Sequence, residues 1–80
     1  MTAEQVTEAL NEIFRDLFDD ETISLTRETT ADDVEGWDSL NHIGLVVTIQ
    51  SHFGIKFKTV ELESLHNVGE MIDLIIAKAA

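Results

Sequence analysis

The sequence has 80 residues, with sixteen acidic side chains against five lysines and arginines, and a net charge of −11. A chain of this length buries only about 60% of its unfolded surface, so we expect a single domain over residues 1–80 with one small core. The charge argues against binding nucleic acid or an anionic membrane and favours basic partner proteins, although solubility alone would also explain it. Without cysteine, and with three histidines that form no ligand-like cluster, we expect no metal site.

The N-terminal stretch shows no targeting signal. Its residues, MTAEQVTEALNEIF, contain no basic region followed by an apolar run. No other segment approaches the roughly 18 apolar residues of a membrane span. We therefore expect a cytoplasmic protein without membrane insertion.

The charge is unevenly distributed along the chain. Residues 1–38 carry twelve acids and two arginines, residues 39–60 carry no acid and two lysines, and residues 61–80 carry four acids and one lysine. The middle of the chain is thus the one part that is not acidic.

The first predicted element is an amphipathic helix capped by Thr2. Acidic residues form one stripe, and apolar residues recur at three- and four-residue spacing on another: Val6, Leu10, Ile13, Phe14 and Leu17. The helical pattern dissolves over residues 19–37. A structureless loop of this length is uncommon in a compact domain, so we expect its isolated apolar residues to hold it against the core: Ile23, Leu25, Val34 and Trp37.

A second helix is predicted from Asp38, a preferred N-cap, to Gly54, and its apolar positions cover more than one face. Thr59 is predicted to cap a short helical turn. Asn67 followed by Glu70 makes a capping-box-like start to a last helix. No strand-like alternation or proline appears. The sequence therefore predicts an all-α bundle of three longer helices and one short helix, with a long loop between the first two.

Ser39 lies in the first turn of the predicted second helix, within the stretch EGWDSLNHIGL. It could simply help to start the helix. It could be a hydrolytic nucleophile with His42 beside it, although the G-x-S-x-G elbow is absent and a small helical chain offers few ways to build an oxyanion hole. It could also carry an anionic group, because unpaired N–H groups and the macrodipole favour phosphate at a helix N-terminus.

The residues GWDSL, from Gly36 to Leu40, resemble the G-x-D-S-L signature of acyl carrier proteins. The resemblance runs from about Ala3 to Ala77 and includes the chain length, the acidity, the long loop that ends at the motif, and the stretches HFGIKF and LHNVGEMIDLI. It implies an acyl-carrier-protein-like four-helix bundle in which Ser39 receives a covalent 4′-phosphopantetheine arm from coenzyme A. The thiol of that arm carries acyl groups as thioesters.

This resemblance implies a chain with no catalytic residues of its own, because a separate phosphopantetheinyl transferase supplies the base and Mg²⁺. Further partners would be acyl-loading, acyl-transfer or condensing enzymes of fatty acid, polyketide or modified-lipid biosynthesis, and we expect a monomer. In the family, Asp38 is a recognition contact as well as a cap, and partners touch positions that correspond to Leu40, Ile43 and Val47. Ile43 and Val47 could equally be ordinary core residues, because the sequence pattern fits both roles. The candidates for lining an acyl-chain cavity are Val46, Ile49, Phe53, Leu62, Leu65, Ile72 and Ile75.

The charge pattern departs from that of fatty-acid-type carriers, whose second helix usually bears glutamates five, eleven and twelve positions after the serine. Those positions are Gly44, Gln50 and Ser51 here. The next loop contributes Lys56 and Lys58, the latter where many members have proline. We therefore expect a specialised carrier that does not serve the general fatty acid synthase. A peptidyl or aminoacyl carrier and an unmodified acidic interaction module remain as alternatives.

Overall fold

The computed structural model describes residues 2–79 and contains no strand in that range. A single 3₁₀ turn, Ala31–Asp33, interrupts the long first connection. The predicted all-α bundle with three longer helices and one short helix is confirmed. None of the helices described is long and apolar enough to span a bilayer. The four helices are α1 (Ala3–Leu17), α2 (Ser39–Phe53), α3 (Thr59–Glu63) and α4 (Val68–Ala79).

Helix α1 begins after the predicted N-cap, Thr2, which forms a capping box with Gln5. Thr2 Oγ1 accepts the Gln5 N–H at 3.1 Å, and the Thr2 N–H donates to Gln5 Oε1 at 2.9 Å. Leu17 differs from the prediction because it is 36% exposed. It faces Gly44 of α2, which has no side chain to cover it. The rest of the predicted stripe is buried: Val6, Leu10, Ile13 and Phe14.

The loop between α1 and α2 is held against the core, as predicted. Helix α1 binds its backbone directly, because Asn11 Oδ1 accepts the Leu25 N–H at 2.7 Å and Arg15 Nε donates to the Ile23 carbonyl at 2.8 Å. These bonds satisfy polar groups of a segment that has no regular structure of its own. The four apolar residues expected to hold the loop are buried in the core or packed against it: Ile23, Leu25, Val34 and Trp37.

The same loop meets the first turn of α4. The Val68 N–H donates to the Thr29 carbonyl at 2.8 Å, and the Gly69 N–H donates to the Arg27 carbonyl at 2.9 Å. The loop thereby satisfies two N–H groups that a helix start leaves without an intrahelical partner. The Arg27 guanidinium also forms a bidentate pair with Asp73 at 3.1 and 2.8 Å. Those hydrogen bonds hold the pKa of Asp73 below its ordinary value.

Helix α3 starts differently from the prediction. Lys58 occupies the N-cap position, and Thr59 is the first helical residue. The Lys58 N–H donates to Glu61 Oε1 at 2.7 Å. The helix start is therefore held by a carboxylate from within the helix, and not by the threonine hydroxyl that was expected to cap it. Lys78 Nζ of α4 lies 2.8 Å from the same oxygen, and its hydrogen bond lowers the pKa of Glu61. Proline at position 58 could not donate this N–H.

The end of α2 and the start of α4 follow the prediction. Gly54 ends α2 in the left-handed conformation, with φ of 66°. Asn67 Oδ1 accepts the Glu70 N–H at 2.8 Å at the start of α4. The reciprocal bond reaches one residue further back than in a standard capping box, because the Glu70 carboxylate accepts the His66 N–H at 3.1 Å.

Gly69 is the point of closest approach between the loop and α4. A Cβ at this position would lie 2.9 Å from the Arg27 carbonyl oxygen and 3.0 Å from Arg27 Cβ. The loop backbone would have to move away and lose its hydrogen bonds to Val68 and Gly69. We predict that Gly69→Ala lowers the free energy of unfolding by about 1–3 kcal/mol, as measured by urea denaturation.

Gly44→Ala provides a matched control for this prediction, because it adds the same methyl group to another helical glycine. The nearest atom to the new Cβ is Leu17 Cδ1 at 4.0 Å, an ordinary contact. Alanine favours a helix interior over glycine by about 1 kcal/mol, so we expect the control to stabilise the protein. Equal effects of the two substitutions would contradict the importance of the close approach at Gly69.

Candidate functional site

Asp38 organises the start of α2. Its Oδ1 accepts the Asn41 N–H at 2.8 Å, and its carbonyl accepts the His42 N–H at 2.8 Å. The predicted N-cap is therefore confirmed. The first two N–H groups of the helix, those of Ser39 and Leu40, receive no acceptor from the helix itself. Together with the macrodipole, they give this end of α2 a partial positive charge.

Ser39 is the first residue of α2, and its side chain is exposed. A pocket of about 370 Å³ lies directly beside it, between the start of α2 and the segment that joins α3 to α4. Ligand pockets usually have volumes of roughly 300–1,000 Å³. A group attached to the serine hydroxyl would thus meet a helix N-terminus that favours an anion and a pocket of ligand size. The pocket is lined by Ala31, Trp37, Asp38, Ser39, His42, Leu65, His66, Asn67 and Met71.

Trp37 and His42 form a hydrogen-bonded pair in the wall of this pocket. Trp37 Nε1 donates to His42 Nδ1 at 3.0 Å, and the two rings are stacked with centroids 6.0 Å apart. Trp37 also packs edge-on against Phe14 of α1, with centroids 5.1 Å apart. His42 is consequently half-buried. Trp37 precedes α2 and His42 lies within it. The periodicity of side chains along a helix therefore does not predict a contact between them.

This pair removes the chemistry that a hydrolytic role of Ser39 would need. An indole N–H is only a donor, so His42 Nδ1 must supply the lone pair, and a neutral imidazole then carries its hydrogen on Nε2. Neither nitrogen of His42 has a free lone pair with which to accept the Ser39 proton. The Asp38 carboxylate caps Asn41 and does not orient the imidazole. The nucleophile hypothesis therefore lacks its base.

The three apolar residues predicted as partner contacts lie on the exposed face of α2. Leu40 is 78% exposed, Ile43 is 65% exposed and Val47 is 58% exposed. Their spacing of three and four residues places them in one row along the helix. The opposite face supplies the core with Leu45 and Ile49. Large exposed aliphatic side chains that lie together are typical of interaction surfaces.

Only one of the seven residues predicted to line an acyl-chain cavity, Leu65, lines the pocket beside Ser39. Trp37 and Met71 line that pocket and were not predicted to do so, because their sequence pattern is that of ordinary core residues. The other six candidates lie elsewhere in the bundle. Ile49, Ile72 and Ile75 are fully buried, and Val46 is nearly so. Phe53 and Leu62 are half-buried.

Helix α2 carries no acidic side chain. Gly44 and Ser51 are exposed at two of the positions where fatty-acid-type carriers usually have glutamate. Gln50, at the third position, has a structural role, because its Oε1 accepts the Phe57 N–H at 2.8 Å and holds the following loop. The two lysines of that loop are exposed. The outer surface of α2 thus has no acidic side chain, although the chain has a net charge of −11.

Comparisons with known proteins agree with this geometry. Residues 8–75 match a family model described as a phosphopantetheine attachment site. The structure is similar to the solution NMR structure of a holo acyl carrier protein from Geobacter metallireducens, with 50% sequence identity and a TM-score of 0.85. That match covers 90% of this chain and 83% of the other chain. A search of curated proteins gives no significant match.

The cap and the charge of Asp38 can be separated by substitution. Asparagine keeps an oxygen acceptor for the Asn41 N–H, whereas alanine removes it. We predict that Asp38→Ala lowers the free energy of unfolding by about 1 kcal/mol and that Asp38→Asn lowers it much less. Urea denaturation followed by circular dichroism measures both. Equal losses would show that the charge at the helix N-terminus stabilises α2, and not the cap geometry.

Proposed function

The chain belongs to the family of acyl carrier proteins that bear a 4′-phosphopantetheine arm, and we propose that the arm is attached to Ser39. Members of this family are not enzymes. A phosphopantetheinyl transferase modifies them, and acyl-processing enzymes then act on the groups that they carry. The observation that carries the assignment is the position of Ser39: an exposed hydroxyl on the first residue of α2, within the G-x-D-S-L motif and beside a pocket.

The helix start suits a residue that carries a phosphodiester. The Ser39 hydroxyl is exposed, so a transferase can reach it. The outward N–H groups of Ser39 and Leu40 and the positive end of the helix dipole stabilise an attached anion. His42 is not available as a base for the reaction, because Trp37 occupies its Nδ1 lone pair. We propose that the transferase provides the base and the metal ion.

Intact mass tests the attachment site. Incubation with coenzyme A, Mg²⁺ and a broad-specificity phosphopantetheinyl transferase should add one phosphopantetheine group to the unaltered chain and none to Ser39→Ala. Ser51→Ala is the matched control, because Ser51 is a second exposed serine on α2 and should not affect the gain. A mass gain in Ser39→Ala, or no gain in the unaltered chain with several transferases, would exclude the assignment.

The pocket beside Ser39 suits the first part of a carried group. Leu65 and Met71 provide apolar walls to the pocket that Ser39 also lines. The deeper residues proposed to shelter an acyl chain, Ile49 and Ile75, are fully buried in the packed core. We therefore propose that a long chain reaches them only when the bundle opens, while a short chain stays in the pocket.

The surface of α2 supports a second, finer proposal: this carrier serves a dedicated acyltransferase, polyketide-like or modified-lipid pathway. The apolar row Leu40, Ile43 and Val47 is present, but the acids that usually accompany it are not. Exposed ion pairs contribute about 0–1 kcal/mol each, and together they govern encounter rate and partner choice. A synthase that recognises carriers through a basic patch therefore loses the electrostatic part of its contact with this chain.

Restoring the missing charges tests this specialisation. We predict that the double variant Gly44→Glu/Ser51→Glu is acylated by a general fatty acid synthase system with a kcat/KM about fivefold higher than that of Gly44→Gln/Ser51→Gln. This factor corresponds to two surface pairs of roughly 0.5 kcal/mol each. Gln50 is left in place because it holds the loop through Phe57.

The glutamine variant is the control because glutamine has the same side-chain length as glutamate and the same gain in helix propensity over glycine and serine, but no charge. The advantage of the glutamate variant should shrink as salt is added, since screening weakens exposed pairs. If the unaltered chain already matches an ordinary fatty acid carrier in the same assay, the proposal of a dedicated pathway is wrong.

A further inference from the structure

The Trp37–His42 pair lies beside the proposed attachment residue, and the function proposed above uses only the occupied Nδ1 lone pair of the imidazole, not its remaining N–H. Trp37 is held on both sides, by the edge-on contact with Phe14 and by its backbone N–H, which donates to the Val34 carbonyl at 3.2 Å. It donates in turn to His42 Nδ1. The core thus fixes the indole, and the indole fixes the imidazole.

The direction of this hydrogen bond determines where the neutral imidazole carries its hydrogen. Because Nδ1 accepts, the hydrogen is on Nε2, on the other side of the ring. Within residues 2–79, the side-chain hydrogen bond of His42 involves Nδ1 alone. His42 therefore keeps one N–H donor for a partner outside the described chain.

The position of His42 indicates which acceptor its free N–H can reach. Ser39 and His42 are three residues apart on α2, so their side chains are neighbours on one face, and both line the same pocket. A group that is attached to the Ser39 hydroxyl and enters this pocket occupies a space that the imidazole also lines. The first part of that group is a phosphodiester, whose anionic oxygens accept hydrogen bonds that are stronger than those of neutral acceptors.

We propose that Trp37 holds His42 as the Nε2–H tautomer, and that His42 donates this hydrogen to the phosphodiester on Ser39 and so directs the arm into the pocket. The proposal rests on attachment of the arm at Ser39. His42 is a positioning residue in this arrangement, and Trp37 acts through it. The arm then runs along the walls formed by Leu65 and Met71.

The pair is tested first in the unmodified chain, where attachment plays no part. Nitrogen-15 NMR at a pH of about 8, where an imidazole is ordinarily neutral, should show a scalar coupling across the hydrogen bond from Trp37 Nε1 to His42 Nδ1. Trp37 is the single tryptophan of the chain, so its indole signal is unambiguous. His42 should show the Nε2–H tautomer. A hydrogen on Nδ1 would overturn the proposal.

The direction of the arm is tested in the holo protein, after intact mass has shown one modification at Ser39. Nuclear Overhauser contacts should join the arm to the methyl groups of Leu65 and Met71. His42→Ala should reduce these contacts about two- to tenfold, as expected for the loss of one hydrogen bond. His42→Gln should retain more of them because the amide is still a donor.

Two further variants separate this role from general stability. Trp37→Phe keeps an aromatic ring against Phe14 but deletes the indole N–H, and it should weaken the arm contacts. His52→Ala removes an exposed histidine at the far end of α2 and should leave them unchanged.

The possible outcomes distinguish the two proposals. Arm contacts that are unchanged in His42→Ala overturn this inference alone and leave attachment at Ser39 intact. Absence of modification at Ser39 overturns attachment, and the role of His42 falls with it, while the coupling in the unmodified chain still reports on the pair.

Discussion

The rest of this structure depends on burial of the long loop between α1 and α2. An 80-residue chain without disulfides has one small core, and this core is completed by Ile23, Leu25 and Val34 of the loop. Side chains of α1 and the first turn of α4 take up the polar groups of the loop backbone. Because the loop is held along its length, the residues at its end enter α2 in a defined position, and Ser39 stands in a fixed place without regular structure before it.

The division of charge follows from the same architecture. The acids of the N-terminal half lie on the outer face of α1 and in the loop, whereas α2 carries none. An exposed apolar row is a risk for a small protein, since such rows pair with one another. A net charge of −11 opposes that pairing by self-repulsion and leaves the row Leu40, Ile43 and Val47 open to a partner. The acids of α1 and the loop thus oppose self-association through the apolar row of α2, although none of them lies on that helix.

The parts of the fold that could be predicted are those determined by local chemistry. Thr2, Asp38, Gly54 and Asn67 mark helix ends through bonds or backbone conformations that involve their immediate neighbours, and each was predicted in its place. The start of α3 was predicted one residue too late, because threonine is a common cap but here the Glu61 carboxylate accepts the N–H of Lys58. A lysine seventeen residues further along the chain also binds that carboxylate, and no local pattern predicts this contact.

The candidate site shows the same limit. Periodicity could not decide whether Ile43 and Val47 were core residues, because α2 has apolar residues on more than one face, and packing against the rest of the core determines which face is buried. The exposure of Leu17 depended on the missing side chain of Gly44 across the helix interface. The hydrogen bond between Trp37 and His42 could not be predicted, because it depends on where the loop places the indole relative to α2, and no local sequence pattern specifies that position.

The first residues of α2 illustrate why a carrier needs such a specific environment. An attached phosphodiester is stabilised by hydrogen-bond donors and by the positive end of a helix. A free imidazole lone pair on the same helix face would instead be a general base beside the ester bond. Trp37 occupies that lone pair, so the imidazole retains its donor and loses its basic site. This hydrogen bond therefore leaves Ser39 beside an imidazole that can donate a hydrogen bond but cannot act as a base, which suits the proposed attachment of an ester at Ser39.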